Sequence, residues 1–213
     1  MPESTTSAGG AIGYPRDPSK GDKLQGVLNA RVVDRAHVAH LNLTAAEAAT
    51  ASTTAVHAAI TDTGVAQTVT TGFTAPPYPR NVTATAGGTA GDIKAIQVTV
   101  EGTNEAGETI TEVLPAFTVD TAGTVVGNKA FKTVTKLTLP AHDGVGATTA
   151  LGFGDKIGLP HKLTHNTVLS AFLNNVLEGT AATVVVSATA LESNTVDLNS
   201  ALNGTVLDAY YVV

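Results

Sequence analysis

Cysteine and tryptophan are both absent from this chain of 213 residues, and aromatic residues make up only 4% of it. Without cysteine the chain can form no disulfide framework and no thiolate metal site. A glycosidase needs two carboxylates that converge in a cleft, usually beside aromatic platforms for the sugar. The shortage of aromatic residues therefore argues against an enzyme or a binding module that acts on carbohydrate.

Charged residues are also scarce, at 14% of the chain, and the formal net charge is −6. Residues 1–35 carry five basic and four acidic side chains, a net charge of +1, which leaves −7 for residues 36–213. Phosphate binding requires a basic surface, and the body of the chain is acidic. We therefore expect no nucleic acid partner.

Long apolar runs are missing as well. No run approaches the length of about 18 residues that is typical of a transmembrane helix. The first 20 residues lack the apolar core of a secretory signal. We therefore expect a protein that is made in the cytoplasm and has no membrane partner.

What the chain does contain is small apolar side chains, chiefly Ala and Val, within a hydrophobic fraction of 43%. Small side chains bury little area each, and burial contributes only about 25 cal/mol per Å². A core built from them should be thin. This composition predicts that the chain gains stability from sister copies in a homotrimer or another ring.

The clearest secondary-structure signal is a β-hairpin. Ile96, Val98 and Val100 alternate with polar residues, which is the period of a half-buried strand. The segment 102–107 contains turn residues, and 108–114 returns as the second strand.

Other segments show weaker strand patterns. Phe131, Leu137 and Leu139 share one face of a predicted strand, with Lys132, Val134 and Lys136 on the other. The segment 167–177 is open between strand and helix, since short apolar runs are ambiguous. Asn203-Gly204 indicates either a two-residue hairpin or the end of a helical turn. The remaining predicted strands are one or two within 24–43, then 55–60, 117–119, 148–153, 167–173, 183–191 and 205–213.

One short helix is predicted at 44–53, where Thr44 and Glu47 have the spacing of a capping box. Turn signals recur every 8–12 residues, as in a sandwich or barrel. The sequence thus predicts an all-β fold, an antiparallel β-sandwich or barrel-like domain over residues 41–213. Residues 1–40 are predicted to form an extended N-terminal arm, because the first part of this segment is rich in Pro, Gly and Ser.

Two histidine pairs are candidate metal ligands, His37 with His40 and His161 with His165. Two ligands could meet on a helix, but on a strand a spacing of four residues separates the rings by roughly 13 Å. No third ligand is spaced nearby. We interpret them as loop or interface histidines and predict no metal site.

Catalytic candidates are equally weak. Four acidic residues, Glu101, Glu105, Glu108 and Glu112, flank the predicted hairpin and fit a solvated edge that discourages aggregation. The glycine-rich segment 152–158 has the wrong spacing for dinucleotide binding and fits a strand end with a bulge. We therefore predict no catalytic residue, no cofactor and no enzymatic activity.

Three segments carry a resemblance to a known family: NVTATAGGTAGDIKAIQVTVEGTNEAGETITEVLPAF, GTVVGNKAFKTVTKLTLP and GFGDKIGLP. Over about residues 60–213 the chain resembles virion structural proteins of tailed bacteriophages. The resemblance implies a β-rich capsid decoration or auxiliary protein, located in the virion, that binds the major capsid protein and its own copies. It transfers no functional residue.

Two alternatives stay open at this stage. The chain could be a tail or head-fibre component that contacts the host surface. A carbohydrate-binding module is the less favoured alternative, because the sequence shows no aromatic platform.

Overall fold

The computed structural model describes residues 36–213, so the arm predicted for residues 1–40 lies outside the described residues except for 36–40. Within the described range the chain forms strands and two 3-10 turns, at Ala90–Asp92 and Leu191–Ser193, and no α-helix. The strands are β1 Val38–Leu43, β2 Ser52–Thr61, β3 Gln67–Val69, β4 Arg80–Gly88, β5 Thr99–Thr103, β6 Thr109–Val113, β7 Gly123–Phe131, β8 Thr133–Leu139, β9 Ala147–Gly158, β10 Val168–Leu173, β11 Val176–Leu177, β12 Thr183–Val185, β13 Thr195–Asp197 and β14 Leu207–Val212.

These strands form three antiparallel sheets. The first sheet has the order β1-β14-β10-β11, and the third sheet has the order β3-β8-β5-β6. The second sheet has the order β12-β13-β9-β4-β7, and β2 also pairs with β9. The predicted all-β antiparallel fold is confirmed.

Two hydrophobic cores lie between the sheets. The first core packs strands of the second sheet against strands of the third, and the second core packs the first sheet against one end of the second. Strand β9 contributes to both: Leu151 and Phe153 belong to the first core and Ile157 to the second. Each large apolar side chain that is fully buried contributes about 1.5–3 kcal/mol.

The last strand, β14, shows how the sequence specifies the first sheet. Leu207, Ala209 and Tyr211 are buried in the second core, whereas Asp208 and Tyr210 point to the other face. This is the two-residue period of a strand with one covered face. Because β14 pairs with β1 on one side and β10 on the other, the predicted C-terminal strand is confirmed and is central in its sheet.

The predicted hairpin at residues 96–114 is confirmed as β5 and β6. Thr103 faces Thr109, and the backbone N–H of Gly107 donates to the carbonyl of Asn104 in the turn. Val98 and Val100 are fully buried, as their alternation with polar residues predicts.

A β-bulge corrects the predicted faces of the neighbouring strand. In β8, Lys136 pairs with Glu101 but Val134 pairs with Gly102, so Thr135 is an extra residue. A bulge shifts the alternation by one position. Val134 is therefore buried on the same side as Leu137, and the prediction that placed it with the lysines is wrong.

The predicted helix at 44–53 is also wrong. Only one turn forms, in which the N–H of Ala48 donates to the carbonyl of Thr44 at 2.9 Å. The predicted capping interaction is nevertheless present, since Glu47 Oε2 accepts from the N–H of Thr44 at 2.9 Å and from its hydroxyl at 2.7 Å. The helix stops there because Ser52–Thr61, rich in β-favouring threonine, pairs with β9 instead.

Three further expectations fail in part. Residues 117–119 form no strand. Phe117 is buried in the loop between β6 and β7, and β7 begins only at Gly123. The strand predicted at 183–191 ends at Val185. Asn203-Gly204 turns the chain but forms neither a hairpin nor a helical turn, since β13 pairs with β12 and β9 whereas β14 pairs in the first sheet.

Two other strand predictions are confirmed. The segment 167–177 is extended, as β10 and β11. The strand predicted at 148–153 exists but continues through the glycine-rich segment to Gly158, with a register shift against β4 at the predicted bulge.

Candidate functional site: a groove and an aromatic face on the first sheet

The histidines singled out from the sequence have separate surroundings. His161 and His165 lie in the loop between β9 and β10, where His161 hydrogen-bonds to the Tyr211 hydroxyl at 2.7 Å and His165 to the Thr164 hydroxyl at 2.9 Å. His37 is exposed ahead of β1. Among residues 36–213 no three His, Cys, Asp or Glu side chains are grouped to hold a metal ion.

The four glutamates at the hairpin are dispersed among different partners. Glu101 pairs with Lys136 at 2.8 Å and Glu105 pairs with Lys132 at 3.3 Å. Glu108 accepts from the Asn104 amide at 2.8 Å. The structure therefore does not bring them together as a catalytic pair.

The fourth glutamate, Glu112, is held by the backbone of β7. Its Oε1 accepts from the N–H of Asn128 at 2.7 Å, and its Oε2 accepts from the N–H of Lys129 at 3.2 Å. Burial raises the pKa of Glu112, and these hydrogen bonds oppose that rise. Glu112 thus joins the third sheet to the second.

A groove opens beside the β10–β11 hairpin, with a volume of about 280 Å³. Its walls come from β10 and from the segment that leads into β12. The lining residues include Val168, Leu169, Ser170, Leu177, Ala182 and Val184.

The groove lies between two sheet edges that carry no further strand among residues 36–213. Strand β11 pairs only with Phe172 and Leu173, so within the described chain the segment Val168–Ser170 has no strand partner on that side. Strand β12 is the last strand of the second sheet. The hairpin is short because Asn174 and Asn175, both with positive φ, form a two-residue turn of the kind that closes β-hairpins.

Three exposed apolar residues, here called the apolar strip, lie at this hairpin: Leu169 and Leu177 line the groove, and Val176 lies on the opposite face of β11 from Leu177. Leu169, Val176 and Leu177 are 62%, 66% and 56% exposed, respectively. Leu169 is exposed because the pairing of β10 with β14 shifts by one residue between Val168 and Ser170. An exposed apolar sheet edge is a template for pairing with another chain, although Glu178 also lines this groove.

The outer face of the first sheet carries a second feature, here called the aromatic face: His40, Phe172 and Tyr210 with Asp208. His40 stacks on Tyr210 with ring centroids 4.4 Å apart and planes inclined by 5°. The ring centroids of Phe172 and Tyr210 lie 6.1 Å apart, and the two ring planes are inclined by 86°. The rings meet because β1, β14 and β10 are adjacent strands.

Asp208 lies in the middle of the aromatic face. Its Oδ1 accepts hydrogen bonds from Asn42 Nδ2 at 2.8 Å and from His40 Nε2 at 2.6 Å. These hydrogen bonds, that from Asn42 foremost, lower the pKa of Asp208 below its ordinary value of 3.8. Asp208 is therefore ionised at neutral pH.

The predictions missed both surfaces. The terminal alternation places Asp208 and Tyr210 on one face of a strand, which is a readable signal. No local pattern shows that His40 belongs to the same face, because its hydrogen-bond partner Asp208 lies 168 positions away in the sequence.

Comparison with known proteins identified no relative of this chain. No family model, no curated protein and no solved structure matches the chain. Among residues 36–213 we also find no helix with the length and hydrophobicity of a membrane span.

Proposed function

We propose that this chain is a structural protein of a tailed-bacteriophage virion. In this proposal it is a capsid decoration protein that binds the outer capsid surface and associates with its own copies in a trimer or another ring. The observation that supports it most is the exposure of the apolar strip of Leu169, Val176 and Leu177 at a groove between two sheet edges that carry no further strand among residues 36–213. The resemblance of residues 60–213 to phage virion proteins provides the biological setting.

The strip suits association with a neighbouring copy. A Val or Leu side chain that becomes fully buried contributes about 1.5–3 kcal/mol, so these partly exposed side chains would contribute about 1–2 kcal/mol each. The groove offers backbone groups to an added strand, and pairing at a sheet edge is a common mode of recognition. A contact between two different surfaces of identical copies closes into a ring when the rotation allows it.

The proposed activity is mechanical and changes no covalent bond. Ring-forming copies would bridge neighbouring capsomers and so resist the internal pressure of packaged DNA. The arm predicted for residues 1–40 would extend this contact across the capsid or a sister copy.

Binding to purified heads tests the proposal. Expanded heads of the phage or prophage that encodes this chain are mixed with the purified protein and sedimented. We expect the wild-type protein to sediment with the heads and a variant without residues 1–35 to bind more weakly. Failure of the wild-type protein to bind, or equal binding after the deletion, would remove the main support. Recovery on tails instead of heads would favour a host-contacting tail component.

A further inference from the structure

We propose that the aromatic face binds a neutral saccharide, in the depression that Phe172 and Tyr210 border. The inference stands on the geometry of the first sheet and does not depend on the proposed function. Nothing in the sequence alone pointed to this site, because the aromatic rings come from three separate strands.

The apolar requirement of a sugar site is met by the rings. A pyranose with equatorial hydroxyls exposes a face of axial C–H groups, and aromatic side chains offer a large rigid surface for such a face. Phe172 and Tyr210 stand at 86° to each other and so form two walls. The parallel stack of His40 on Tyr210 holds the Tyr210 ring in place.

The polar requirement is met by groups with unused hydrogen-bonding capacity. Asp208 accepts two hydrogen bonds through Oδ1, while Oδ2 has no partner among residues 36–213. The hydroxyls of Ser170 and Tyr210 and the amide of Asn175 line the same depression, and their side chains also make no hydrogen bond within the described chain. A carboxylate oxygen beside hydroxyl and amide groups matches the neighbouring hydroxyls of a sugar ring.

The size and charge of the depression narrow the ligand class. Its volume is about 410 Å³, within the range of about 300–1,000 Å³ that is usual for small-molecule sites. The five lining residues, Ser170, Phe172, Asn175, Asp208 and Tyr210, include one carboxylate and no cation. An acidic sugar would meet repulsion from the ionised Asp208 and no cation among the lining residues, so the ligand class is a neutral hexose oligomer.

Nuclear magnetic resonance titration of the full chain, labelled with ¹⁵N, tests the site. The probes are cellotriose, maltotriose and galactobiose, with 3′-sialyllactose as the acidic comparison. We expect at least one neutral probe to shift the amide signals of Ser170, Phe172 and Tyr210, and sialyllactose to bind more weakly. If no neutral probe shifts these signals, or if sialyllactose binds more tightly, the inference is overturned.

Two variants and a matched control locate the binding. Phe172→Leu removes one wall and Asp208→Asn removes the charged acceptor, and each should weaken binding by about tenfold. The control is Phe73→Leu, because Phe73 is also half-buried and packs on His57 instead. If both variants give the spectrum of a folded protein and bind with unchanged affinity, the sugar binds elsewhere and the inference is contradicted. If the wild-type chain does not bind heads, the proposed function is contradicted but the saccharide site is not.

Discussion

Arg80 Nη2 lies 3.1 Å from Asp155 Oδ1, and the Arg80 side chain is completely buried whereas that of Asp155 is 26% exposed. Arg80 also donates from Nε to the carbonyl of Gly154 and from Nη1 to the carbonyl of Ala49, both at 2.7 Å. Its guanidinium lies 4.6 Å from the centre of the Phe153 ring. The side chain thus ties β4, β9 and the 44–49 turn together where the two hydrophobic cores meet.

Burial lowers the pKa of Arg80 to about 10, and Asp155 opposes that decrease. The guanidinium therefore stays charged at neutral pH. Removal of one partner of a buried ion pair typically costs about 3–5 kcal/mol, because the other is left unpaired. Asp155→Ala would leave the completely buried guanidinium without its counter-charge, so we expect this variant to be destabilised as well.

The first prediction concerns Arg80. Arg80→Ala should lower the free energy of unfolding by about 3 kcal/mol or more, since it leaves two carbonyls without donors and a cavity at the junction. Lys132→Ala is the control, because the Lys132–Glu105 pair is exposed and should contribute less than about 1 kcal/mol. Urea unfolding measures both. Equal losses in the two variants would contradict the role of Arg80.

The second prediction concerns Gly102, which lies beside the β-bulge of β8. A Cβ at this position would overlap the carbonyl oxygen of Thr133, which belongs to the backbone and cannot rotate away. Gly102→Ala should therefore cost about 2 kcal/mol or more. Gly123→Ala should change stability by less than about 0.5 kcal/mol, because no atom lies near its Cβ and its φ is ordinary. Thermal unfolding of the two variants measures the difference, and a Gly102→Ala variant as stable as Gly123→Ala would contradict the prediction.

The third prediction is a pH dependence of the capping interaction. The backbone hydrogen bond from Thr44, with that from its hydroxyl, lowers the pKa of Glu47 below its ordinary value of 4.5. A carboxyl group whose pKa is lower in the folded state contributes stability above its ordinary pKa. That contribution is lost as the pH falls through the folded-state pKa.

Because Glu47 is only half-buried and its partner Thr44 is exposed, we expect Glu47→Gln to cost only about 0.5 kcal/mol at about pH 7. At a pH below the folded-state pKa of Glu47 the wild-type and variant proteins should differ less, since protonation removes the charge of the wild-type carboxylate. Unfolding curves at the two pH values provide the measurement. A difference that grew on acidification would have the wrong sign for this account.

The fourth prediction concerns self-association through the apolar strip. Val176→Lys should weaken the oligomer by about tenfold, because lysine on a sheet edge opposes pairing and removes an apolar contact. Val65→Lys is a matched control, since Val65 is 64% exposed and Val176 is 66% exposed. Light scattering over a dilution series gives the oligomeric state. A wild-type protein that stays monomeric at all concentrations, or two variants that behave alike, would exclude the strip as the contact.

Local signals sufficed for part of the fold. The β5–β6 hairpin has alternating apolar residues and turn residues within one short stretch, so its strands and faces follow from the sequence. Thr44 and Glu47 likewise form the predicted capping contact. In that case the inferred helix was wrong, because pairing of β2 with β9 outweighs a local helical preference.

The remainder depends on contacts between distant segments. The bulge that buries Val134 is set by its pairing with Gly102, which no alternation of apolar residues reveals. The aromatic face requires that β14 lie between β1 and β10, and strand order is not encoded in any one segment. The exposure of Val176 similarly follows from the position of β11 at the end of its sheet.

The most direct test of the proposed function is a reconstruction by electron cryomicroscopy of the virion whose genome encodes this chain. We predict density for residues 38–213 on the outer surface of the head, arranged as a ring of copies with the apolar strip at the contact between neighbours. A virion whose head carries no such density, or in which the strip faces solvent, would contradict the account.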